Sequence, residues 1–247
     1  MRASARRAVL TTLTVLVTTA ASAKVRESFE KVVPFEPGGT FTIENRNGSI
    51  EIGTWSESSV QILAEKTASS ESALDDIEIV VEGSGNRVSV DTVHHRKWTF
   101  GGEGGGVSYR ILLPAEAQVS AETANGGIEV TGIHGRVEVR SVNGSLKVED
   151  IAGEIEAETT NGSIRASYDR AVNGRHRFST TNGAVRLYLP ADAGGEIDAE
   201  TVNGSIDVDF PVTVTRTSRR HLRGSFGNGS SSFEVSTVNG SVRVLAN

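Results

Sequence analysis

Few residues in this chain have the type and spacing that chemistry requires. His94, His95 and His221 could ligate a metal if their loops converged, but adjacent residues on a strand point to opposite faces and no carboxylate spacing accompanies them. They read more simply as exposed loop histidines. Asp207 and Asp209 share one face of a strand, and with Glu200 they could form a calcium site or the carboxylate pair of a glycosidase. Charges on the outer face of a sheet explain them equally well. The glycine run over 101–106 lacks the G-x-G-x-x-G order, a following helix pattern and a Walker lysine, so it does not suit a phosphate cradle. Serines abound without a G-x-S-x-G turn or a placeable His-Asp partner. The absence of cysteine excludes disulfides, thiolate metal sites, a thiol nucleophile and a lipidated cysteine. No catalytic, cofactor-binding or metal-ligating residue is expected, and the chain is not expected to be an enzyme.

The regular feature lies in the elements that would carry such residues. Asn-Gly pairs stand at Asn47-Gly48, Asn125-Gly126, Asn143-Gly144, Asn161-Gly162, Asn182-Gly183, Asn203-Gly204 and Asn239-Gly240, with extra pairs at Asn173 and Asn228. From Asn125 the steps are 18, 18, 21, 21 and 36 residues. Gly126, Gly135, Gly144, Gly153 and Gly162 are spaced by nine, so each repeat has two halves. After each glycine the residues alternate x-apolar-x-apolar, as in Ile128 and Val130, Val137 and Val139, Leu146 and Val148, which is the period of a strand. The 21-residue steps add their three residues in the same half, as a bulging corner would. The pattern predicts an all-β, single-domain β-solenoid of about 18 to 21 residues per coil. Its turns are expected at the Asn-Gly pairs, whose residues tolerate positive φ.

Thr123, Ser141, Thr159, Thr180, Thr201 and Thr237 all sit two before an asparagine, so hydroxyls and amides are expected to stack from coil to coil. Outward charges alternate in sign, as in Glu122, Arg140 and Glu158. The Asn-Gly expected near 221 is replaced by the basic, glycine- and serine-rich stretch 216–232, read as an interrupted coil. Its Arg216, Arg219, Arg220 and Arg223 form the one basic cluster, a candidate interaction loop. Six Asn-Gly-Ser sequons are explained by turn chemistry.

Three further segments complete the organisation. Arg2, Arg6 and Arg7, the short apolar run 8–20 and Ala21-Ser22-Ala23 make residues 1–23 a cleavable signal peptide, too short to span a bilayer. Removing three arginines and no acid shifts the formal net charge from −6 to −9, which argues against nucleic acid as a partner. Residues 24–106 read as a strand-rich N-terminal cap and glycine-rich loop, and 107–247 as the repeats, with 24–247 expected to form one continuous domain.

The Phe35-x-Pro37-Gly38-Gly39 opening, the Ile43-Glu44-Asn45 unit before Asn47-Gly48, the Tyr109-x-Ile111-x-Leu113-Pro114 strand and the serial Thr-x-Asn-Gly-x-Ile turns resemble the bacterial family labelled putative adhesin, β-strand-repeat domains of unknown function. The likeness covers about residues 29 to 247 and implies an exported β-helix-like fold. It carries no functional residues. Together these readings predict an exported, non-catalytic module of the cell envelope, in the periplasm or at the cell surface, that binds envelope polysaccharide or another envelope protein, or serves as a scaffold. A carbohydrate-active β-helix enzyme and an envelope-stress accessory protein are the alternatives.

Overall fold

The alternation after each glycine becomes a pair of short strands, one on either side of an Asn-Gly corner. These strands form two facing sheets in the computed structural model, which describes residues 24–95, 105–169 and 173–247. The expected signal peptide and residues 96–104 of the expected glycine-rich loop lie outside the described residues. The first sheet holds the C-terminal part of β1 (Val25–Asn47), then β4 (Ile77–His94), β6 (Gln118–Asn125), β8 (Val137–Asn143), β10 (Ile155–Asn161), β12 (Arg175–Asn182), β14 (Gly195–Asn203) and β18 (Ser231–Asn239). The second holds β2 (Ile50–Trp55), β5 (Gly106–Pro114), β7 (Ile128–Thr131), β9 (Leu146–Ile151), β11 (Ile164–Tyr168), β13 (Val185–Leu189), β15 (Ile206–Val208) and β19 (Val242–Ala246). One strand from each sheet, with the corner between them, makes a layer.

Layers stack in parallel register, so that Asn125 pairs with Asn143, Asn143 with Asn161 and Asn161 with Asn182. Parallel register carries each inward residue onto its counterpart. In the first sheet Val88, Phe41, Val119, Val137, Ile155, His176, Phe233 and Ile197 form one inward column. In the second, Tyr109, Ile50, Ile128, Leu146, Ile164, Val185, Val242 and Ile206 form its partner. Most of these side chains are fully buried, and each buried aliphatic contributes roughly 1.5–3 kcal/mol.

The order of layers in space departs from the order in sequence at both ends. The layer of β1 and β2 lies between that of β4 and β5 and that of β6 and β7. Residues 40–55, within the expected cap, are therefore a full member of the stack. At the far end, the last strands β18 and β19 insert between β12–β13 and β14–β15. The 36-residue step is thus not two coils with one interrupted, as the spacing suggests. Residues 212–226 instead leave the stack as an antiparallel hairpin of β16 (Val212–Thr217) and β17 (His221–Phe226), with β17 laid antiparallel on the outer edge of β14.

Antiparallel strands cover the opposite end too. The N-terminal part of β1 and β3 (Ser59–Ala68) extend the second sheet beyond β5. In β4, Gly83 and Gly85 adopt positive φ, and the His95 N–H donates to the Asp76 carbonyl, so residues 77–82 fold back along 87–94. A short helix, α1 (Glu71–Asp75), packs at this end, capped by the Ser70 hydroxyl.

Gly48 and Gly126 adopt the positive φ expected at the corners, but the corner glycines answer to a second constraint as well. Among the described residues, Asp150 alone has a positive φ without being glycine, so the corner asparagines do not need that region. Gly144 is required because the layers touch: a Cβ there would stand 1.8 Å from the Gly126 carbonyl oxygen and 2.4 Å from its carbon. Gly162, Gly183 and Gly240 are enclosed in the same way. Gly144→Ala is expected to lower stability by about 2–4 kcal/mol, because the clash is with backbone that cannot rotate aside. Thermal unfolding of the variant beside the exposed Val142→Ala checks this; equal melting temperatures would contradict it.

Candidate functional site

The Asn-Gly corner carries three hydrogen-bond ladders. In the first, corner N–H groups donate to a carbonyl of the adjacent layer, as Gly126 does to Asn143 at 2.9 Å and Gly144 to Asn161 at 3.0 Å. In the second, the buried hydroxyls two before the asparagines donate to corner carbonyls, Thr159 to Gly144 at 2.9 Å, Thr180 to Gly162 at 2.8 Å and Thr201 to Gly240 at 2.9 Å. The third runs through side-chain amides. Asn125 Nδ2 donates to Asn47 Oδ1, Asn143 to Asn125, Asn161 to Asn143, Asn182 to Asn161, Asn239 to Asn182 and Asn203 to Asn239, all between 2.8 and 2.9 Å.

This amide ladder lies outside the core, and six of its seven members are exposed. Each amide within the ladder uses one of its two N–H donors and one of its two acceptor sites on its neighbours, leaving the others directed to solvent. Since the residue two before the asparagine points inward, the intervening one points outward. That position holds Val142, Val202 and Val238, 40–48% exposed. The ridge is therefore a row of amides at strand spacing, about 4.8 Å, bordered by exposed methyl groups. Sequence reading identified the asparagines and passed over the valines, although the period of two already turned them outward.

The outer faces of the sheets are charged and largely self-paired. On the first sheet Arg136 reaches Glu156 at 2.8 Å and Glu154 at 3.5 Å, Arg140 binds Glu138 and Glu156, and Arg177 meets Glu234 at 2.8 Å. On the second, Lys147 bridges Glu129 and Glu149 at 2.8 and 2.9 Å, and Arg165 joins Glu149 at 3.1 Å while lying over the Tyr188 ring. Burial alone would raise the Glu149 carboxyl, but Lys147 and Arg165 hold it below its ordinary range.

The sequence-derived candidates for chemistry do not assemble. His94 lies on β4 and His95 pairs with Glu78, whereas His221 pairs with Asp198 at the other end of the stack, both at 2.8 Å. Asp207 and Asp209 face out together from the second sheet as expected, whereas Glu200 faces out from the first and does not join them. Among the described residues no group of three or more acidic residues and histidines is placed to hold a metal ion, and no helix is long and apolar enough to cross a membrane. Arg216, Arg219, Arg220 and Arg223 stand exposed on the hairpin of β16 and β17, with Arg223 3.8 Å from Asp198.

One polar group inside the core escaped the sequence reading. His176 occupies an apolar-column position, fully buried, stacked on Phe233 with centroids 5.0 Å apart. Its Nδ1 lies 2.8 Å from the Tyr168 hydroxyl and accepts from the Ile155 N–H at 3.3 Å, while its Nε2 has no hydrogen-bond partner among the described residues. Burial lowers its pKa to about 4, against weaker opposing pulls from Glu154 and the Asn173 backbone.

Two sheets of short parallel strands, joined at stacked asparagine corners around one core, define an all-β repeat domain. The match of residues 25–245 to the Toastrack DUF4097 family shows that the chain belongs to that family. No curated protein matches it. Among solved structures, it is similar to a putative cell adhesion protein from Clostridium sporogenes, with 14% identity, TM-score 0.49, and 90% of this chain and 100% of that one covered. A putative adhesin from Bacteroides fragilis is similar at 9% identity and TM-score 0.45, covering 89% and 97%. Another from Parabacteroides merdae shows 11% identity, TM-score 0.26 and coverage of 89% and 96%.

The buried histidine sets an acid limit on stability. Its pKa in the folded chain is below the unfolded value of 6.5, so the unfolded chain binds the extra proton first. The stabilisation is complete above pH 6.5 and is lost as pH falls toward about 4, by about 3 kcal/mol in all. Denaturant midpoints measured across this range should fall less steeply for His176→Gln, which keeps an acceptor for Tyr168 without titrating; identical slopes would contradict the assignment.

Proposed function

We propose that the chain is an exported, non-catalytic binding module of the bacterial cell envelope whose asparagine ridge holds a repetitive envelope polysaccharide. The observation carrying this reading is the continuous amide ladder with its border of exposed valines. A polymer of sugars repeats hydroxyl groups along its length. A straight row of amides, each with a donor and an acceptor to spare, offers matching partners, and the methyl border offers contact to the apolar faces of sugar rings. The ladder hydrogen bonds hold the amides in place before a ligand arrives, so little ordering entropy is lost on binding.

The same proposal includes the finer architecture: residues 1–23 removed on export, residues 24–247 folding as one continuous domain, and each layer one coil of a β-solenoid. Register steps of 18 and 21 residues between stacked asparagines support the coil reading. The family match from residue 25 fits a mature chain starting near there.

Affinity retention of the purified protein on fractionated envelope polysaccharides tests the ridge. Saturable retention is expected, surviving a rise in salt because the ridge is uncharged. The exposed double variant Val142→Lys, Val202→Lys should bind about tenfold more weakly with its melting temperature maintained. Retention unchanged by that variant would overturn the ridge as the binding surface, and retention of a single envelope protein instead would overturn polysaccharide as the ligand.

A further inference from the structure

The two ends of the layer stack are complementary in charge, in strand direction and in uncovered apolar surface. At one end, residues 69–86 carry Glu71, Asp75, Asp76, Glu78 and Glu82 and no basic residue. At the other, residues 211–230 carry Arg216, Arg219, Arg220 and Arg223 and no acidic residue. Arg223 is tied to Asp198 within the chain, whereas Arg216, Arg219 and Arg220 make no ion pair among the described residues. Asp76 at the acidic end and Arg220 at the basic end lie at the Asn-Gly side of the first sheet. Asp76 neighbours His95, just beyond the end of β4, and the Arg220 carbonyl accepts from the Thr201 N–H, close to the Asn203 corner.

The same two ends leave apolar side chains half covered. Phe29, Ile79 and Val81 pack against the core from the acidic end, and Ile206, Val208, Phe210, Val212 and Leu222 from the basic end. On β16, Val214 remains 45% exposed although it pairs with the buried Gly224 of β17. Among the described residues β16 pairs only with β17, which leaves its other edge open, and its β-branched sequence Val-Thr-Val-Thr-Arg-Thr has no acidic or proline gatekeeper.

We propose that a second copy of this chain docks end to end here, with β16 of one copy pairing beside residues 77–82 of the next and continuing the first sheet. The strand directions allow it without turning the copy over. β16 runs parallel to the strands of the layers, being antiparallel to β17, which is itself antiparallel to β14. Residues 77–82 run against those strands, because they fold back along 87–94, which is parallel to β1. A copy translated along the stack therefore forms an antiparallel pair, the more stable ladder, in which the C-terminal end of β16 meets Val81 and Glu82. Arg216, Arg219 and Arg220 then approach Asp75, Asp76 and Glu78 of the neighbour, and the half-covered valines and isoleucines close on one another. The contact is heterologous, so it repeats into an open row in which the asparagine ridges line up.

This association is independent of the ligand proposed above and is read by sedimentation velocity on the purified protein without any ligand. The weight-average mass should rise with concentration at low salt and return to the monomer at about 1 M salt, where the screening length is about 3 Å. Arg219→Glu with Arg220→Glu should abolish association while leaving the melting temperature unchanged, as should Asp75→Arg with Glu78→Arg. Mixing the two variants should restore it, because each supplies the end the other has lost. A protein that stays monomeric at low salt, an assembly indifferent to either reversal, or a mixture of folded variants that does not associate would each overturn the proposal. So would a monomer that uses these arginines to bind vesicles of anionic lipid.

Discussion

Close contact of backbone with backbone at the Asn-Gly corner is the constraint from which the other features of this fold follow. A corner that stacks on its neighbour at strand spacing has no room for a Cβ, so glycine is obligatory there for space, with positive φ as a second reason at Gly48 and Gly126. The corner's polar groups cannot reach water on the stacked side and must find partners in adjacent layers. The three ladders supply them: the glycine N–H to a backbone carbonyl, the inward hydroxyl to a glycine carbonyl, and the asparagine amide to the next amide. Thr-x-Asn-Gly is thus a single physical unit, and the residue at x is the member free to vary.

Stacking of identical units creates a problem at its ends, where the last layer would expose an apolar column and a row of open strand edges. The chain meets it the same way twice. Its first and last layers are tucked in one place from the end, so each terminal segment is held by neighbours on both sides, and antiparallel strands cover much of what remains. This raises the sequence separation of contacts: Asn182 bonds Asn239 across 57 residues and Asn47 bonds Asn125 across 78. Closing such long loops before their contacts form slows folding, but once formed the C-terminal strands cannot fray without breaking two interfaces. Half-covered apolar residues remain at both ends, and there the charges are separated by sign.

The surfaces divide accordingly. The outer faces of both sheets neutralise themselves through Arg136, Arg140, Lys147 and Arg165, and exposed pairs of that kind add little stability while keeping the faces soluble. The corner ridge is uncharged and regular, and the stack ends are charged and irregular. Recognition of a repeating polymer calls for the former, and contact between copies for the latter. The buried His176–Tyr168 pair belongs to neither surface. It sits where the three-residue insertion interrupts the corner opposite the asparagines, and it trades an apolar contact for a polar one that holds only while the ring is neutral.

The local rules were legible in the amino-acid sequence because they depend on neighbours two residues away. Alternation determined which residues face inward, the Asn-Gly spacing determined where the corners fall, and the threonines two before the asparagines marked the hydroxyl ladder. What the spacing could not show was which layer lies beside which. The strand ending at Asn239 has the same inward pattern as every other and could stack equally well after Asn203; only the closed packing of the whole chain places it between Asn182 and Asn203. The segment 212–226 likewise carries no sign of its partner, since a β-branched strand suits any free edge until one is offered. The role of Gly144 and the burial of His176 were hidden for a related reason. Both are set by atoms of another layer, distant in sequence, and a repeat read along the chain records its own period but not the distance to the layer it rests upon.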